Sequence, residues 1–311
     1  VNIDMIRAAA ARLNGQARRT PVLSSPFLDE IAGRRVFVKA ECLQHTGSFK
    51  FRGAWNAISA SDAPGFVAVS SGNHAQGVAL AARMQGRQAV IIMPQDAPQV
   101  KIDNTRAYGA EVVLYDRDAQ DRDALMNDLA AQRGLEKIPP FDHPLVIAGQ
   151  GTVGLEVAQD FKDMRGDVYV CCGGGGLTSG VALALEAAAP GLRARPVEPE
   201  GFDDVARSLS SGTRQRNTRL SGSICDAIVT PTPGELTLPI LQRLCGPGLV
   251  VSDAMALRAM RLALERLRIV LEPGGAVALA AALFLPGEGD VLVVASGGNA
   301  DPAMIARALA A

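Results

Sequence analysis

The segment DVYVCCGGGGLTSGVALALEAAA, residues 167–189, decides the fold. A short β-branched and aromatic run stops at the glycine-rich turn CGGGGLTSG, and an Ala- and Leu-rich stretch follows, which reads as strand, tight turn, helix. Within the helix expected at 177–189, the run VALALEAAA (181–189) is apolar nearly all round, so this helix is expected between a sheet and further structure. The same alternation runs outward in both directions. Strands are expected at 36–40, 66–69, 89–93, 111–115, 192–197 and 291–295, and helices at 76–85, 99–108, 122–133, 152–162, 254–267 and 276–285. Strands separated by crossover helices make a mostly parallel sheet. At about 150 residues per domain, 311 residues make two lobes. The fold class is therefore α/β, with open, twisted, mostly parallel sheets flanked by helices. Gly86, Gly109, Gly134 and Gly191 stand where left-handed residues close helices. Segment 214–219, rich in Thr, Asn and Arg, reads as a mobile surface loop.

Composition narrows the function. Lys plus Arg is 31 against 32 for Asp plus Glu, so no global field draws in nucleic acid or anionic lipid, and 4% aromatics leave little for base stacking. Small molecules are the expected partners. No apolar run is long enough to span a bilayer and no basic-then-apolar leader opens the chain, so a cytoplasmic location is expected. Five cysteines without C-x-x-C spacing argue against disulfides and a thiolate zinc site and read as reduced, buried thiols.

Four polar turns each follow an expected strand and precede a helix: TGSFK (46–50), SSGNH (70–74), CGGGGLTSG (172–180) and ASGGN (295–299). Ligands collect at such strand ends. Without Cβ atoms, Gly173, Gly174, Gly175 and Gly176 can curl successive amides round an anion at a helix start, a phosphate being the expected guest; a plain flexible loop is the alternative. Lys50 stands between Phe49 and Phe51 at a helix start. The helix dipole and the aromatic flanks both disfavour its ammonium, as suits Schiff-base chemistry, although most lysines are simply exposed. The 70–74 loop also reads as an ordinary helix cap.

The blocks KAECLQHTGSFKFRGAWNAI, VSSGNHAQGVALAA, PFDHPLVIAGQGTVGLE, CGGGGL, VEPEGFDDVARSL, PTPGELTLPIL, LEPGGAVALAA and ASGGN, in this order over nearly the whole chain, resemble the serine/threonine dehydratase and serine racemase family of fold type II pyridoxal-phosphate enzymes. The resemblance implies that Lys50 carries the cofactor covalently and, once freed by the substrate amine, acts as the base on one face of Cα. It implies that Gly173, Gly174, Gly175 and Gly176 hold the phosphate, that Asn73 bonds the ring 3′-oxygen, that Phe49 packs on the ring and that Ser296 meets the pyridine nitrogen. Ser70, Ser71, Gly72, Asn73 and His74 would bind the substrate α-carboxylate, and Ser71 matches the acid/base of the opposite face in racemases. For His74 alone, a structural histidine is the competing reading. A Mg²⁺, Mn²⁺ or Ca²⁺ site is implied at Glu198, the Phe202 carbonyl and Asp204, against a solvated acidic turn. Arg122 aligns with an arginine that reaches toward substrate in racemases, against a surface ion pair. Glu272 matches a family glutamate without an assigned role.

The resemblance also implies a large lobe at 1–60 and 141–311, a small mobile lobe at 61–140, and a homodimer. The expected activity is β-elimination from L-serine or L-threonine to a 2-oxo acid and ammonia. 3-Hydroxyaspartate dehydration and serine racemisation are the alternatives on the same site. Pro139, His143, Pro196 and the Cys225–Asp226 pair depart from the family pattern near the hinge, one strand and the substrate side. A nicotinamide-dependent oxidoreductase is disfavoured, because no acidic ribose partner stands about 20 residues past the glycine loop.

Overall fold

The computed structural model describes residues 1–97, 99–116 and 119–311. Its strands are β1 Val22–Leu23, β2 Val36–Lys39, β3 Gly65–Val69, β4 Gln88–Pro94, β5 Glu111–Tyr115, β6 Glu136–Lys137, β7 Gly166–Cys171, β8 Leu192–Pro199, β9 Leu249–Val251 and β10 Val291–Val294. They form two sheets, one of six strands in the order β1-β2-β10-β7-β8-β9 and one of four in the order β5-β4-β3-β6. Every pairing is parallel except β1 with β2, on the edge of the larger sheet. All seven expected strands are present.

Parallel strands covered on both faces read as unbroken hydrophobic runs, and β10 is the clearest case, with Val291, Leu292, Val293 and Val294 all fully buried. Helix Gly176–Ala188 is buried along its first ten residues, as its all-round apolar sequence requires. It packs on helix Pro144–Asp160, which starts eight residues before the expected position. The glycines that read as helix breakers are there for contact instead. A Cβ on Gly149 would meet the Arg52 carbonyl at 2.6 Å, and one on Gly154 the Val181 carbonyl at 2.8 Å.

Other expectations are corrected. The helix expected at 254–267 is α-helical over Asp253–Leu262 and then widens into a π turn over Ala263–Leu267. Gly86, Gly109 and Gly134 have positive φ, but Gly191 does not. Its constraint is crowding, because a Cβ there would lie 2.7 Å from the Met164 carbonyl. Segment 214–219 is irregular yet tied down: Asn217 is buried and Arg214 donates to the Pro233 carbonyl. Short helices such as Ile3–Leu13 and Thr237–Leu244 are additional to the expected set.

Helix Lys50–Ser59 connects the two sheets. Its Phe51, Ala54, Ala57 and Ile58 share a hydrophobic cluster with Phe66 and Ala68 of β3, while Phe49 belongs to the cluster of the larger sheet. The chain thus passes from one core to the other at position 50.

Candidate active site

A cleft of about 530 Å³ opens between the C-terminal ends of the strands in both sheets, within the size range of small-molecule sites. It is lined by Phe49, Lys50, the 70–74 loop, Gly173, Gly174, Gly175, Gly176 and Ser296, so the four turns converge as expected.

The turn before Lys50 is held in an uncommon conformation. Thr46 has φ +59°, a value few β-branched residues adopt, and its carbonyl accepts from Asn299 Nδ2 at 2.8 Å. Backbone bonds Phe49 N–H to Ser296 O (3.1 Å) and Gly298 N–H to Gly47 O (2.9 Å) lace the 46–50 turn to the 295–299 turn. Lys50 Nζ, 5.3 Å from the centre of the Phe49 ring, donates to the Pro140 carbonyl at 2.6 Å. Surrounding protein strips water from the ammonium and lowers its pKa to about 8, with Cys171 and Glu272 opposing the shift. A useful fraction of this amine is neutral at physiological pH.

Gly175 is left-handed (φ +93°), and the Gly174 carbonyl accepts from the Thr237 hydroxyl at 2.6 Å and the Gly234 amide at 3.1 Å. A Cβ on Gly174 would sit 2.3 Å from the Phe141 ring, so only glycine lets the loop lie against this wall. The first amides of helix Gly176–Ala188 have no intrahelical acceptor and meet the cleft as an anion cradle. Such a cradle and a neutralisable lysine fit a phosphate-bearing aldehyde cofactor.

Asn73 begins helix Asn73–Met84. Its Nδ2 donates to Glu272, and its Oδ1 accepts from Asn299 at 2.7 Å, which fixes the amide orientation. Glu272, raised to about 7 by burial, therefore acquires a structural partner that its sequence did not reveal. His74 is buried and donates from Nε2 to the Ile138 carbonyl at 2.8 Å; burial and nearby Lys50 lower its pKa to about 3. Its neutral imidazole has that N–H committed, so the N–H groups of the loop remain as the donors for a carboxylate. Ser70 and Ser71 line the cleft.

Arg122 does not reach the cleft. It opens helix Arg122–Arg133, is exposed, and has Asp123 at 3.7 Å. Among the described residues, the lysine or arginine besides Lys50 that lines the cleft is Lys101, on helix Gln99–Ala107, whose Nζ pairs with Asp226 Oδ2 at 3.1 Å across the mouth. The segment around Lys101 carried no motif that singled it out.

Away from the cleft, Glu198 ends up buried and accepts from the Val205 and Ala206 amides at 2.9 and 2.7 Å. Asp204 Oδ1 accepts from Asn217 at 2.6 Å, while its buried Oδ2 has no partner. Burial and the neighbouring Asp204 push the Glu198 pKa well up, and burial lifts Asp204 to about 6. Two buried carboxylates with an unpartnered oxygen fit a hard cation. No cluster of three His, Cys, Asp or Glu side chains occurs among the described residues. All five cysteines are free and buried, as expected.

An open parallel α/β scaffold with a desolvated lysine facing a glycine anion cradle defines a cofactor enzyme of the Schiff-base type. The chain belongs to the pyridoxal-phosphate dependent enzymes, whose family model matches residues 13–297. It is 45% identical to an L-threo-3-hydroxyaspartate ammonia-lyase from Pseudomonas sp. over 96% of this chain and 95% of that protein. It is also similar to the solved structure of maize serine racemase (TM-score 0.93, 36% identity, covering 100% and 97% of the two chains). A further likeness is to the solved structure of a threonine deaminase from T.th. (TM-score 0.91, 43% identity, covering 97% and 99%).

Proposed function

We propose that this pyridoxal-phosphate-dependent ammonia-lyase acts by preference on a β-hydroxy amino acid bearing a second carboxylate, L-threo-3-hydroxyaspartate, and takes L-serine and L-threonine more weakly. Lys101 at the cleft mouth carries this reading. Its partner Asp226 is 67% exposed, where water weakens the pair and a bound carboxylate can take over the ammonium. The Pseudomonas relative named for that substrate supports the same choice.

When bound, the cofactor supplies an electron-withdrawing ring conjugated to Cα, which acidifies the Cα–H bond. The 70–74 loop receives the α-carboxylate at the N-terminus of helix Asn73–Met84, where amides and dipole favour an anion. Lys50 Nζ takes the Cα proton, a role suited to an amine with a pKa near neutrality. Gly173, Gly174, Gly175 and Gly176 would hold the phosphate, and Ser296 would meet the ring nitrogen. Loss of the β-hydroxyl as water, followed by hydrolysis, yields a 2-oxo acid and ammonia. Ser71 lines the same cleft and offers a hydroxyl for proton return, so slow racemisation is the second reading.

Lys101→Met is expected to lower kcat/KM for 3-hydroxyaspartate about tenfold or more, the worth of a charge-assisted hydrogen bond, while activity on L-serine stays within about twofold. Equal losses on both substrates, or none, would remove Lys101 from the reading. D-serine forming faster than pyruvate would make the protein a racemase.

We further propose that residues 61–140, which carry the 70–74 loop and Lys101, close against 1–60 and 141–311 as substrate binds. Arg122 has a role in this reading only if closure brings it inward. A divalent cation, Mg²⁺, Mn²⁺ or Ca²⁺, is proposed at Glu198, the Phe202 carbonyl and Asp204, where it would neutralise two buried carboxylates. Chelation should then lower the melting temperature, added Mg²⁺ should restore it, and Asp204→Asn should abolish the response. A melting curve indifferent to chelator in the native protein would exclude the site. A cytoplasmic homodimer completes the reading, supported by the family likeness; light scattering tests the dimer. Among the described residues no helix is long and apolar enough to cross a membrane.

A further inference from the structure

Cys171 is the last residue of β7, and the parallel register pairing Val170 with Val294 sets it beside the turn that follows β10. There its Sγ lies 3.0 Å from Ser296 Oγ. Both residues line the cleft together with Lys50. Among the described hydrogen bonds, Cys171 is the one partner of the Ser296 hydroxyl.

We propose that Cys171 is a positioning residue that sets the direction of the Ser296 hydroxyl hydrogen, so that the site presents a donor to the cofactor's pyridine nitrogen. The inference rests on the cofactor reading above. A serine hydroxyl has one hydrogen and two lone pairs. A pyridine nitrogen is a much stronger acceptor than a thiol sulfur, so with the cofactor in place the serine hydrogen turns to the nitrogen. The thiol hydrogen then fills the vacated side by donating to Ser296 Oγ. The two bonds run in one direction, Cys171 to Ser296 to nitrogen, and such chains polarise each other.

The thiol can only play this part while it keeps its proton. Burial pushes its pKa up to about 11, against the Ser296 bond that lowers it, so it stays a donor through the working range. A nitrogen that accepts a hydrogen bond is unprotonated, which keeps the ring a moderate electron sink and favours rapid loss of the β-substituent over a long-lived carbanion.

The test is the nitrogen-15 resonance of ring-labelled pyridoxal phosphate in the loaded protein. Ser296→Ala should move it downfield, toward that of a free pyridine. Cys171→Ala should move it in the same direction by a smaller amount, and Cys171→Ser, which restores a donor, should return it close to the native position. Cys171→Val, which fills the space without a donor and keeps water out, should show the downfield shift whether or not water enters the alanine variant and masks it there. If Ser296→Ala leaves the resonance unmoved, the nitrogen does not meet Ser296, and both the cofactor placement and this inference fall. If Ser296→Ala shifts it but neither Cys171→Ala nor Cys171→Val does, the role of Cys171 alone is overturned.

Discussion

Lys50→Ala loses turnover by about 10⁴-fold or more, because it removes both the covalent attachment and the general base, each worth orders of magnitude. Borohydride reduction followed by peptide mapping should leave a pyridoxyl adduct at position 50 in the native protein and none in the variant. The pKa of about 8 gives the pH dependence a sign. Attack on the cofactor aldehyde needs the neutral amine, so the loading rate of the apoprotein should rise about tenfold per pH unit below that value and level off above it. The lysine's hydrogen bond is to the Pro140 carbonyl, so the variant should melt close to the native protein freed of cofactor, the form to which it compares. An adduct on a different lysine, or turnover within tenfold of native, would contradict the assignment.

The second large effect lies two residues further along the same helix. Arg52 is 1% exposed and bonds Glu41 at 2.8 Å through both Nε and Nη2, and Glu156 at 2.7 Å. Fully buried Lys39 also donates to Glu156 and to the Thr20 carbonyl. Burial alone would disfavour the guanidinium, but Glu41 and Glu156 outweigh it and hold its pKa above the ordinary arginine value. Two cations and two carboxylates thus offset one another in a largely buried network. Arg52→Ala strands Glu41 in the interior, and removing one partner of a buried pair costs about 3–5 kcal/mol. The urea midpoint should fall accordingly, and a loss below about 1 kcal/mol would mean that Glu41 is otherwise compensated. The network lies at the start of helix Lys50–Ser59, in its first turn.

Much of this was legible along the chain. The strands were, because buried parallel strands are continuous Val, Ile and Leu runs that stop at Gly, Ser or Pro. The converging turns were, because strand C-termini of parallel sheets share one edge. Helix Pro144–Asp160 was only half legible: three of its glycines mimic breakers and reveal their purpose only against Arg52, Gly180 and Val181. Asn217 gave no signal, since its segment is polar and irregular, and only folding carries it to Asp204.

The residue order by itself determined the α/β class, the four turns and the lysine, because period, glycine runs and local dipoles act within a few neighbours. Tertiary structure alone decided that Lys101 rather than Arg122 stands at the cleft mouth, that Glu272 grips Asn73 across 199 positions, and that Cys171 backs Ser296 across 125. Those contacts depend on sheet register and on how the two sheets and their helices pack, which bring together side chains that no local pattern relates.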